Sequence, residues 1–87
     1  MDVEHASAIV NARFRDMRLK LNNSIQATGS GNVTIQKDPE LVHSEHGVFE
    51  FSATLLETSK GQSKTSQYKL IVKKVAENVW ECVVTPK

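Results

Sequence analysis

The residues richest in chemistry sit in one short polar stretch. His43, Glu45 and His46 lie together, with Asp38 and Glu40 just upstream. Two imidazoles three positions apart beside carboxylates carry the donor atoms a transition metal takes. The stretch lacks a third strong ligand at a fixed spacing on a regular element. It reads as a hydrophilic loop, and neither a metal nor another cofactor is expected. Cys82 is the one cysteine of the chain. A nucleophilic thiol needs a lowered pKa and exposure. Cys82 falls between Trp80 and Val84 on an inward-facing row, which suits a small buried hydrophobe. No spacing ties a serine to a base, so no catalytic residue is assigned and an enzyme has the least support of the functional classes.

Two further patterns invite a binding role. Thr28-Gly29-Ser30-Gly31-Asn32 is glycine-rich. A phosphate-cradling loop leads from a strand into a helix, whose first amides bind the anion. This one follows a helix and enters a strand, so it reads as a linker. Lys60, Lys64, Lys69, Lys73 and Lys74, with Arg13, Arg15, Arg18 and Lys20, have the charge to follow a phosphate backbone. The helical cations point at widely different angles, however, and Glu50, Glu57 and Glu81 neutralise the sheet. No aromatic residue interleaves with the lysines to stack a base. A nucleic-acid partner is not expected.

Composition agrees. Eleven Lys and Arg stand against ten Asp and Glu, for a net charge of +1. That balance exerts no general pull on nucleic acid or anionic lipid. Eighty-seven residues suit one domain spanning 1–87, and 39% apolar residues suit one core. A lone cysteine excludes an internal disulfide framework. No apolar run is long enough to span a membrane. The start, Met1-Asp2-Val3-Glu4, is acidic with no apolar stretch after it, so no signal peptide is read and the cytoplasm is the default expectation. A chain relieved of a leader or anchor would read the same way.

The elements that must position these residues follow from periodicity. Val3, Ala6, Val10, Phe14, Met17 and Leu21 recur at spacings of three and four and predict a helix over about 3–23, with Asp2 as its N-cap. Basic residues crowd its second half, where cations suit the helix dipole. Asn22-Asn23-Ser24 signals its end. The period then drops to two. Strands are predicted at about 33–37, 48–58, 67–75 and 79–85. Asp38-Pro39 is expected to break the first, with Glu40 to Gly47 as a loop. Ser59 to Thr65 reads as a hairpin tip around Gly61, and Ala76-Glu77-Asn78 as a three-residue turn with Asn78 left-handed.

The hairpins set registers. Turning the second on Glu77 places Lys73 opposite Glu81, Ile71 opposite Val83, Val72 opposite Cys82 and Leu70 opposite Val84. Turning the first on Gly61-Gln62 places Glu50 opposite Lys73 and Phe51 opposite Val72. Opposite charges then meet on one face and apolar residues on the other. The expected fold class is α+β, one long N-terminal amphipathic helix packed on a four-stranded antiparallel sheet, with the first strand beside the second.

A helix followed by an antiparallel meander resembles the cystatin-like arrangement by order of elements. The Gln-x-Val-x-Gly hairpin of inhibitory cystatins is absent, as is a Pro-Trp pair in the last hairpin, so protease inhibition is not implied. Helix, glycine-rich loop and meander, with Trp80-Glu81-Cys82, also resemble a pilin-like subunit without its anchor. The membrane-embedded half of such a helix and a second cysteine are missing.

One helix covers one face of a sheet. The other face, with Val48, Ile71, Val75, Val79 and Val83, is left open, which points to a small non-enzymatic interaction module that self-associates through that face or an edge strand. The expected partner is a second copy or another protein. The alternative is a small-molecule site in the helix–sheet seam walled by Phe14, Tyr68 and Trp80, with Lys74 resting by the indole.

Overall fold

A computed structural model describes residues 2–29 and 31–87. One helix, α1 (Asp2–Ala27), is followed by four strands, β1 (Gly31–Glu45), β2 (Val48–Ser59), β3 (Gln62–Ala76) and β4 (Val79–Pro86). The strands form one antiparallel sheet in the order β1-β2-β3-β4, and the helix packs on one face of it. The chain is therefore an α+β protein of one N-terminal helix on a four-stranded antiparallel sheet. No helix among the described residues is long and apolar enough to cross a membrane.

The core is the meeting of one helical stripe with alternate sheet residues. Ala6, Val10 and Phe14 of α1 are fully buried against Phe49, Phe51, Ala53 and Leu55 of β2, Leu70 and Val72 of β3, and Val33 of β1. Phe14 is the largest helical contributor, and its ring meets Tyr68 edge to face with centroids 6.0 Å apart. Edge-to-face contact places a ring's positive rim on a neighbour's negative face. Strand alternation sends the odd-numbered residues of β2 into this core, as the period of two requires.

The helix runs four residues past its expected end. Thr28 and Gly29 donate their amides to the Ile25 and Gln26 carbonyls, and the Thr28 hydroxyl also donates to Ile25 at 2.7 Å. The basic residues consequently lie mid-helix, with none in the last turn. Lys20 instead pairs with Asp16 one turn earlier, at 3.0 Å. The stripe is also shorter than its periodicity suggests: Val3 and Leu21 are exposed at its ends, while Ile9, Met17 and Ile25 pack on the core. The Asp2 side chain, expected as a cap, and Ser30 of the glycine-rich connector lie outside the described residues.

The first strand departs most from expectation. β1 does not stop at residue 37, and Glu40 to Glu45 is strand rather than loop. Asp38-Pro39 falls within one of three register irregularities, between Lys37 and Glu40; the others lie between Ile35 and Lys37 and between Leu41 and His43. An edge strand tolerates this because one side of its backbone has no strand to bond, and a bulge absorbs the extra residues. Reversal is then confined to His46-Gly47, both with positive φ.

Lys60-Gly61 makes the same kind of two-residue turn, both residues left-handed. Consecutive left-handed residues give the mirror-image turn whose twist matches paired strands. The expected tip of seven residues is thus replaced by two. The turn centre also moves, and β2 pairs with β3 two residues away from the expected register: Glu50 faces Ile71 and Phe51 faces Leu70, while Lys73 faces Val48 and Val72 faces Phe49. A two-residue shift keeps every side chain on its face, so the core is unaffected. The second hairpin has all four expected pairs, from Leu70–Val84 to Lys73–Glu81, and Asn78 is left-handed with φ 58°. Its three-residue loop resolves into a two-residue turn at Glu77-Asn78 and a register shift at Val75.

Replacing Phe14 with Ala removes the central wedge of this core. The substitution should lower stability by about 3–5 kcal/mol, close to the whole reserve of a small domain. Urea unfolding followed by far-ultraviolet circular dichroism measures it.

Candidate interaction surface

The side of the sheet opposite the helix is uncovered. Its layers follow from the registers: Val48, Lys73 and Glu81; then Glu50, Ile71 and Val83; then Ser52, Lys69 and Thr85. The expected register set Glu50 beside Lys73; the two-residue shift of the first hairpin corrects it, placing Lys73 beside Val48 and Ile71 beside Glu50. Val48, Val75, Val79 and Val83 are exposed, at 37%, 50%, 49% and 45%, and Ile71 is half-buried. Leu41 and Val42 of β1 are exposed as well, although their stretch reads as a polar loop in sequence.

Ile71 sits in a shallow hollow of about 340 Å³ lined by Val48, Glu50, His43, Glu45 and His46. The histidines reach this hollow because β1 continues past Pro39, so that His43 stands opposite Glu50. Both imidazoles flank the Glu45 carboxylate, His43 Nε2 at 3.5 Å and His46 Nε2 at 3.7 Å. All three side chains are exposed, so water competes with these contacts and they hold the residues only weakly. Among the described residues, no group of three or more His, Cys, Asp or Glu is arranged to hold a metal ion.

The lysines are interleaved with acids. Lys73 Nζ lies 3.6 Å from Glu81, Lys64 stands opposite Glu57 across the hairpin, and Lys37 pairs with Glu40 at 3.5 Å. Lys87 crosses the open face to donate to the Ser52 hydroxyl at 3.1 Å.

The three aromatic residues assigned to the seam are held in two places. Phe14 is fully buried and meets Tyr68, whereas Trp80 meets a different ring, His5, with centroids 5.0 Å apart and planes tilted by 49°. Lys74 is the cross-strand neighbour of Trp80 as expected, but the ring on the indole belongs to the helix. His5 was legible only as the residue before buried Ala6, on the flank of the stripe. Cys82 is half-buried beside the core. Burial pushes its thiol pKa up, and the nearby Arg13 charge offsets part of that rise.

The two edges of the sheet are built differently. On β1, the Val33 backbone faces away from β2 and is held by the helix. Arg18 Nε donates to the Val33 carbonyl at 2.7 Å, and the Val33 amide donates to Asn22 Oδ1 at 2.8 Å. These polar residues lie one and two helical turns past Phe14, on the same packed side as Met17 and Ile25. The rest of β1 carries its three irregularities, Pro39, and Lys37, Asp38 and Glu40. Bulges, proline and charge are the usual means of blunting a sheet edge. The β4 edge has none of these between Trp80 and Val84, apart from the Glu81 charge, and its register with β3 is unbroken there.

Set against models of known protein families, curated proteins and solved structures, the chain matches none of them.

Two outcomes follow from these placements. Asn22→Ala deprives the Val33 amide of its acceptor, and exchange of that amide with deuterium should quicken by about fivefold, the equivalent of one hydrogen bond; nuclear magnetic resonance reads it directly. Cys82 keeps its proton to higher pH in the folded chain than in the unfolded one. The folded state then binds more protons in that interval, and stability falls as pH rises through the unfolded thiol's range. Urea midpoints across mildly alkaline pH should decline, with a shallower decline in Cys82→Ser.

Proposed function

We propose that this chain is a small non-enzymatic interaction module that associates with itself. The observation that carries the reading is a sheet covered on one face only and unblunted along its β4 edge. Among the described residues no second layer covers Val48, Ile71, Val75, Val79 and Val83, and α1 packs on the opposite face. Apolar side chains held on a rigid sheet gain from leaving water together, at roughly 25 cal/mol per Å² buried. Exposed apolar patches of this kind commonly mark protein contacts. A second copy is the partner of choice because a two-fold axis lets one surface serve both sides of the contact.

The test is solution mass by light scattering across a concentration series. A dimer that builds up with concentration is the expected result. A monomer throughout, up to high micromolar concentration, overturns the reading.

A further inference from the structure

We propose that two copies meet along β4, pairing antiparallel about a two-fold axis at Cys82 to join their sheets into one of eight strands. The inference rests on the self-association reading and specifies its geometry.

The argument begins with which backbone groups β4 leaves free. The Lys87 amide donates to the Gln67 carbonyl at 2.9 Å, continuing the β3–β4 ladder beyond Pro86. Bonded and non-bonded pairs alternate along an antiparallel ladder. Lys87–Gln67 being bonded, Thr85–Lys69, Val83–Ile71 and Glu81–Lys73 are the bonded pairs of the same register. The amides and carbonyls of Trp80, Cys82 and Val84 therefore point away from β3. Among the described residues nothing hydrogen-bonds these outward groups.

Three consecutive outward residues define one best self-pairing. Centred on Cys82, each copy sets Cys82 against Cys82 and Trp80 against Val84 of the other. Every outward amide then finds an outward carbonyl. Centring on Val83 instead brings Trp80 opposite Pro86, which has no amide to give. Centring on Glu81 brings Val84 opposite Asn78, which is left-handed in the turn. The side chains agree with the Cys82 centre. Trp80 and Val84, both half-buried and on the helix side, come together across the new ladder, and Glu81 stands opposite Val83 rather than its own copy. Cross-strand aromatic and β-branched pairs are favourable, whereas like charges directly opposite are not.

The competing sites are less suited. Pairing through β1 must break the Arg18 and Asn22 bonds to Val33 and straighten three irregularities. Face-to-face packing must bury Lys73, Glu81 and Glu50 among the valines, and desolvating such charges opposes association.

Three measurements on the full chain decide the matter. In an antiparallel bonded pair the two Cα atoms are about 5.5 Å apart, within the span of a disulfide. Diamide, which takes two electrons and two protons from a pair of thiols, should convert the dimer into a covalent Cys82–Cys82 species, and should leave a dilute monomer unlinked. Val84→Pro removes an amide that β3 does not use, so two bonds are lost per dimer, and its dissociation constant should rise by roughly tenfold or more. Ile71→Lys, which charges the centre of the open face, should leave dimerisation within about threefold of the parent, since Ile71 lies on β3 and β4 stands between it and the partner's strand. A dimer that diamide does not link, or one that Val84→Pro leaves intact while Ile71→Lys abolishes it, overturns the β4 contact and spares self-association. A monomeric parent overturns both. Should Val84→Pro not fold, the diamide result alone decides, linkage supporting the contact and its absence overturning it.

Discussion

The burial of Phe14 against the sheet is the contact on which the rest of this structure depends. The ring lies in the helix–sheet core, fully out of water and braced by Tyr68 of β3. A chain of 87 residues has material for one such core. With the single helix committed to one side, the opposite side of the sheet and one of its edges are left without a neighbour. The surface most open to interaction is thus a by-product of how the core is made, and its rigidity is inherited from that core.

Much of this was legible in sequence because it rests on period and short-range chemistry. The spacing of Ala6, Val10 and Phe14 identified the helical face, and alternation from Phe49 to Leu55 identified the inner strand. Asn78 and the charge match of Lys73 with Glu81 fixed the second hairpin. What escaped has common causes. Lys60-Gly61 and His46-Gly47 form tight turns without the Asn-Gly or Asp-Gly pairs that announce them, so the turns read as longer loops. Pro39 reads as a strand breaker, yet an edge strand has an unbonded side that accommodates it. The register of β2 on β3 was drawn from a turn on Gly61-Gln62, which sets Glu50 opposite Lys73. That charge match is surrendered because the turn, which is local and stiff, outweighs an exposed ion pair.

The open face itself was identified from element count, whereas its details required the fold. That Ile71 lies in a hollow ringed by His43, Glu45 and His46 depends on β1 continuing through its irregularities. That Arg18 and Asn22 serve the backbone of Val33 could not be read from periodicity, which treats polar residues on a helix as solvated. In this chain they tie the β1 backbone to the helix alongside the apolar contacts of Met17 and Ile25. His5 against Trp80 is a similar case, a polar ring recruited at the other end of the same seam.

The tight turns also bear on how the sheet assembles. Each strand pairs with its immediate predecessor in the chain, across a reversal of two residues at His46-Gly47, Lys60-Gly61 and Glu77-Asn78. The entropy lost on closing a loop grows with its length, so each reversal is about as cheap as a reversal can be. Sheets are usually slow to form because distant segments must find one another first. Here successive hairpins can zip outward from their turns without any distant search, and only the docking of α1 joins well-separated parts of the chain. Assembly of this protein is accordingly governed less by topology than by the moment at which Phe14 finds its place.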